Sequence, residues 1–276
     1  MPIAHVRGID LFYEVAGSSG DPTVLVHGSL ADHTSWARVL PILSQSLTVL
    51  AYDRRGFGAS TLGPRERPVA TDAADLAALL ETLDLLPVHV IAHSYGGPVA
   101  LRLAAQRPEL VRSVSIHEAP LVGLLADDPS TAALGRLFLE GIDQIRELVR
   151  RGETSAAART VVEVFSPVSG AWERLPPSVR IEFAGRMDRW VEEYSDPDSI
   201  RPVASELAEL LLPVLLTTGG QSPPFLREIR SALARELPNV TELDVPPAGH
   251  APHVTHPVEY AGILLSFLLE RNVPSN

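Results

Sequence analysis

The sequence contains no cysteine, which excludes disulfides, thiolate nucleophiles and thiolate metal sites. It contains no lysine either. All 23 of its Lys/Arg-type residues are arginine, so a catalytic amine or a Schiff base is excluded. Positive charge is also in short supply: 34 acidic residues leave a net charge of −11. A surface of that sign repels phosphate backbones and anionic lipid, so neither nucleic acid nor membrane is expected as a partner. No apolar run approaches the roughly 20 residues of a membrane span. The opening MPIAHVRGIDL lacks the basic-then-apolar pattern of a signal peptide, and a cytoplasmic location is the default expectation. What is present, 45% hydrophobic and 21% charged residues in 276, suits one sizeable core with room for an inserted subdomain.

Periodicity organises the chain. IAHVRG and IDLFYEVAG read as a hairpin with Gly8 near its turn. TVLVHG (23–28), LTVLAYD (47–53), PVHVIAHS (87–94), VRSVSIHE (111–118), PVLLTTGG (213–220) and NVTELDVP (239–246) read as strands, several of them nearly continuous apolar runs of the kind buried on both faces. Helical patterns fall between them, at about 33–45, 71–85, 95–108, 224–237 and 256–271. This alternation predicts a parallel sheet with helices on both faces. From 120 to 203 it stops, and two long helical stretches flank a proline-rich bend, SPVSGAWERLPPS. That segment is expected to be an inserted helical cap, with 1–119 and 204–276 forming the core.

Chemistry concentrates where strands end. AHSYG places Ser94 at a strand-to-helix junction with small residues two positions to either side, the form of a nucleophile elbow. A serine at that turn stands in front of a helix N-terminus, whose free N–H groups stabilise developing negative charge. HGSL (27–30) ends the first buried strand. Backbone N–H groups from Ser29 or Leu30, paired with that of Tyr95, could receive an oxyanion, and Leu30 would border the substrate. His250, in PPAGHAPH after the last strand, lies on the same sheet edge and is the candidate general base; His253 and His256 are its neighbours. No His-x-x-x-His pair with an acidic partner suggests a metal.

HGS, YDRRGFGAS (52–60), AHSYGG, a helical insertion and AGHAPH, in this order, resemble the α/β-hydrolase superfamily over nearly the whole chain. The resemblance implies an α/β fold with a mostly parallel eight-stranded sheet flanked by helices and an inserted cap. It also implies Ser-His-acid chemistry on esters, thioesters, lactones or related carbonyl compounds. In most of the superfamily the acid follows the strand that PVLLTTGG would form, but Gln221 and Ser222 stand there. Some branches, including certain dehalogenases and zearalenone-type lactonases, take the acid after the strand that follows the elbow helix. Glu118 occupies that place, whereas Asp244 falls within a strand and Asp127 and Asp128 fall within the cap.

The expected activity is hydrolysis of a carboxylic ester or lactone of a weakly polar substrate, without cofactor or metal. C–C bond hydrolysis, perhydrolysis and non-catalytic ligand binding are the alternatives. The expected partner is a small-molecule substrate; self-association into a homo-oligomer is left open. Of the cap's large apolar residues (Phe138, Phe165, Trp172, Phe183, Met187 and Trp190), most are expected in its core and Trp190 on the pocket wall.

Overall fold

The computed structural model describes residues 2–63, 68–126, 128–166 and 168–269. Asp127 and the last two residues of the helix expected over 256–271 lie outside them. The strands are β1 (Ile3–Val6), β2 (Ile9–Ala16), β3 (Pro22–Val26), β4 (Thr48–Tyr52), β5 (Val88–His93), β6 (Val111–His117), β7 (Val214–Gly219) and β8 (Val240–Val245). They form one sheet in the order β1-β2-β4-β3-β5-β6-β7-β8. The hairpin β1–β2 and the pair β2–β4 are antiparallel, and every other pairing is parallel.

The central strands are nearly continuously apolar because both faces of the sheet are covered. Successive side chains of a strand point to opposite faces, and the two cores divide the strands accordingly. Val24, Val26, Leu50, Val90, Val214 and Leu216 join the core that holds helices Val69–Thr82, Gly96–Gln106 and Pro224–Glu236. Leu25, Val49, Ala51, Ile91 and Leu215 join the core under helix Pro257–Leu269.

Two helices depart from the expectation. The segment 33–45 is a 3₁₀ turn, His33–Trp36, followed by a one-turn helix, Leu40–Leu43. Asp32 caps the first by accepting from the Thr34 N–H. Pro41 has no N–H to donate back into a helix arriving from residue 33, so it is accommodated in the first turn of a new one. The helix expected over 71–85 runs Val69–Thr82. Its first N–H is satisfied from outside the helix, by the Asp196 carboxylate at 2.7 Å.

Between β6 and β7 the described residues form only helices, the longest being Ala132–Arg150 and Thr154–Phe165. The stretch VRIEFAGRMDRWVEEY forms two helices, Pro177–Gly185 and Met187–Glu193, separated at Arg186.

Close approach of helix Gly96–Gln106 to β3 depends on a missing side chain. A Cβ on Gly96 would lie 2.4 Å from the Val26 carbonyl oxygen, a backbone atom of a buried strand. Gly96→Ala should therefore destabilise the fold by about 1–3 kcal/mol, as overpacking does. Urea unfolding checks this, and an unchanged midpoint would contradict the close packing of helix on strand.

Candidate active site

Three turns at one sheet edge carry left-handed backbone on residues with side chains. Leu30, past the end of β3, has φ +59°; Ser94, after β5, has +50°; Glu118, after β6, has +52°. Such a conformation costs about 1–3 kcal/mol at each residue and persists only where the surroundings enforce it. At Ser94 they do so from both sides: its N–H donates to the His117 carbonyl at 2.9 Å, and its carbonyl accepts from the Gly97 N–H at 2.8 Å. Tyr95 follows at the helix N-cap.

Glu118 is fully enclosed, and each of its carboxylate oxygens has a partner. Oε1 accepts from the Gly219 N–H at 2.8 Å, and Oε2 lies 2.7 Å from Nδ1 of His250. A carboxylate can only accept, so Nδ1 carries the proton and Nε2 is left as the basic nitrogen. Burial opposes the charge on Glu118. The neighbouring His117 and the hydrogen bond to His250 outweigh it and hold the carboxyl at about 2.

Gln221 turns its backbone into the loop, donating to the Ala248 carbonyl, and borders a cavity of about 670 Å³. Ser29, Leu30, Ser94, Trp190 and His250 border the same cavity. The Tyr95 side chain is buried instead, leaving its backbone at the elbow. Among the described residues no hydrogen bond joins the Ser94 hydroxyl to His250.

Several participants escaped sequence reasoning. His93 donates from Nε2 to the His250 carbonyl at 2.7 Å, and its ring lies 4.8 Å from that of His250 and 4.5 Å from that of His253. His93, His117 and His253 are all held below the ordinary imidazole range, chiefly by burial, His117 at about 4 and His253 at about 3. Phe165, assigned by its spacing to the cap core, stacks on His250 at 4.6 Å and borders the cavity. The cap also grips the HGSL loop. Arg186 donates to the Leu30 carbonyl at 2.7 Å and pairs with Asp32 at 2.6 Å. Of these, the sequence offered His253 only as a neighbour of His250 and Phe165 only as cap core, while His93 stands inside the AHSYG motif itself.

One trio of possible metal ligands occurs among the described residues, Asp32, His33 and Asp53. Its carboxylates are already engaged. Asp53 accepts from the His33 and Ala59 N–H groups and meets Nδ1 of His33, while Asp32 caps Thr34 and pairs with Arg186.

The family model for the alpha/beta hydrolase fold matches residues 21–257. The chain belongs to that family. It is 26% identical over 263 residues to the dihydrolipoyllysine-residue acetyltransferase component of the acetoin cleaving system of Pseudomonas putida, covering 93% of this chain and 66% of that protein, just under two thirds. It is 28% identical over 265 residues to the soluble epoxide hydrolase of a Corynebacterium species, covering 90% and 89%. A solved thermophilic esterase from Thermogutta terrifontis superposes with a TM-score of 0.75 at 25% identity, over 95% of this chain and 94% of that one. Among the described residues no helix is long and apolar enough to cross a membrane.

The site makes stability depend on pH with a defined sign. His117 and His253 titrate below their unfolded value of 6.5, and Glu118 below 4.5. In each case the unfolded chain binds more protons, so stability is full above pH 6.5 and is lost on acidification. The histidines act between about 6.5 and 3, and Glu118 acts between about 4.5 and 2. Urea midpoints measured against pH should fall along this course, and Glu118→Gln should flatten the part below 4.5. A wild-type midpoint that is flat from pH 7 to 4 would contradict the burial of neutral imidazoles.

Proposed function

We propose that the protein is a cofactor-free serine hydrolase that cleaves a carboxylic ester or lactone of a weakly polar small molecule through an acyl-enzyme on Ser94. The observation that carries this reading is the Glu118–His250 hydrogen bond, whose histidine borders the same cavity as Ser94. In this mechanism the Ser94 oxygen attacks the carbonyl carbon while Nε2 of His250 takes its proton. Glu118 holds the tautomer and stabilises the imidazolium. The backbone N–H groups of Ser29 and Tyr95 receive the oxyanion. His250 then returns the proton to the leaving alcohol, and water attacks the acyl group with His250 again as base. The hydrogen bonds that pass the proton commonly tighten only around bound substrate.

The walls of the cavity suit a weakly polar substrate, since Leu30, Phe165, Phe183 and Trp190 contribute to them. The resemblance to the Thermogutta terrifontis esterase supports the ester class. Epoxide opening, named for the Corynebacterium relative, proceeds through an alkyl-enzyme that needs a carboxylate nucleophile, and the elbow here presents Ser94. Gln221 can hydrogen-bond but holds no charge beside an imidazolium, so its position opposite the cavity contributes to binding rather than to proton transfer.

A fluorophosphonate should label Ser94, as located by peptide mapping, and Ser94→Ala should lose both label and ester turnover while remaining folded. Glu118→Gln should lower kcat by about 10²–10⁴ with KM little changed, because the acid acts mainly in the transition state. Gln221→Ala should cost far less. Wild-type turnover by purified Ser94→Ala would overturn the mechanism. Wild-type kcat in Glu118→Gln would remove Glu118 from it.

A further inference from the structure

A second cavity, of about 200 Å³, lies in the cap beside the one that holds Ser94 and His250. Apart from Thr160, whose hydroxyl donates to the Ala156 carbonyl, its lining is apolar. Helix Ala132–Arg150 contributes one side and helix Thr154–Phe165 the other. Val161, Phe165 and Trp190 border both cavities, so one layer of side chains forms a common wall. Phe165 is the part of that wall nearest the chemistry. One contact of its ring is the His250 imidazole, and others are Phe138 and Phe225, which line the second cavity. At the outer rim Leu137 and Val164 are exposed, at 64% and 39%.

Gly141 borders this space. It sits inside helix Ala132–Arg150, where glycine is unfavourable by about 1 kcal/mol relative to alanine. A Cβ added to it would meet nothing within 4 Å, so no close packing explains the glycine. A larger side chain at this position therefore has open space beside the cavity lining to enter.

We propose that this second cavity receives a linear apolar tail of the substrate whose ester or lactone carbonyl is held at Ser94, the tail passing the common wall at Phe165. This rests on the hydrolase reading above and adds the substrate class: a carbonyl compound carrying an unbranched hydrocarbon chain. The lining is apolar except at Thr160, whose hydroxyl donates to the Ala156 carbonyl, and Trp190, so a tail bearing several hydroxyl or charged groups would be left largely unsatisfied there. The exposed rim lets a longer chain continue outward. Each methylene taken from water into such a site favours binding by about fourfold.

The experiment compares hydrolysis of p-nitrophenyl acetate and p-nitrophenyl decanoate by the wild type and by variants at Gly141. The wild type should favour the decanoate. Gly141→Phe, which places a large side chain at the border of the cavity, should lower kcat/KM for the decanoate at least tenfold and leave the acetate within about twofold. Gly141→Leu serves the same purpose if the larger side chain prevents folding. Gly141→Ala should keep the wild-type preference, since a methyl leaves the space open. Equal loss on both esters, or no loss on either, would overturn the tail site. Decanol binding to Ser94→Ala and to Ser94→Ala/Gly141→Phe, followed by calorimetry, separates this idea from the hydrolase reading. Tenfold weaker binding in the double variant supports the tail site even if no ester is turned over, and equal binding overturns it.

Discussion

The buried guanidinium of Arg54 joins four separate parts of the molecule. Its Nε donates to the His27 carbonyl, Nη1 to Asp72, and Nη2 to both the Gly28 carbonyl and Glu193. Phe57 and Tyr95 lie against its plane, with ring centres 4.6 and 4.8 Å away. One cation thus fastens the HGSL loop, the helix Val69–Thr82, the elbow and the cap helix Met187–Glu193. Burial pushes the Glu193 carboxyl up, and the charge of Arg54 works against that shift. Without the arginine, the buried Glu193 carboxylate would lose its cation while still facing the like charge of Asp72, and removing one partner of a buried ion pair typically costs about 3–5 kcal/mol. Only the flat, five-donor fork of arginine reaches so many acceptors at once, and the chain uses arginine in place of lysine throughout.

The parts of the fold that could be read from the sequence are those set by local rules. A strand covered on both faces is mostly apolar, and β5 and β7, buried at every residue, are so apart from His89, His93, Thr217 and Thr218. The elbow was legible because a left-handed Ser94 needs small neighbours, and Gly96 meets that need against Val26. That Ser94, Glu118 and His250 share an edge follows from parallel strands, whose C-terminal ends all emerge on one side. The meeting of Glu118 with His250 could be anticipated from chemical need, since an imidazole with a defined tautomer requires an acceptor on its far nitrogen.

What escaped reading depends on partners distant in sequence. Asp196 starts a helix 127 residues before it, and nothing in the local pattern at Val69 announces that. Arg186 interrupts a helical run that periodicity alone would continue, and its guanidinium reaches from the cap to Leu30 and Asp32. Phe165 has the spacing of a core residue and is largely buried, yet one of its faces lies on His250. Helical periodicity identifies a buried face but does not distinguish a core from a pocket wall, because both are apolar.

Placing the carboxylate after β6 also changes what the loop after β7 is free to become. Glu118 is fixed by a sheet strand, by the Gly219 N–H and by complete enclosure, whereas Gln221 stands in a loop at the cavity rim. In a relative whose acid sits in that loop, each insertion or exchange there disturbs the proton relay along with the rim. Here Gln221 borders the cavity while its neighbour Ser222 lies against the Glu118 carboxylate. Under the mechanism proposed above, position 221 alone can drift in size and polarity, generating new specificities, while Ser222 stays tied to the acid.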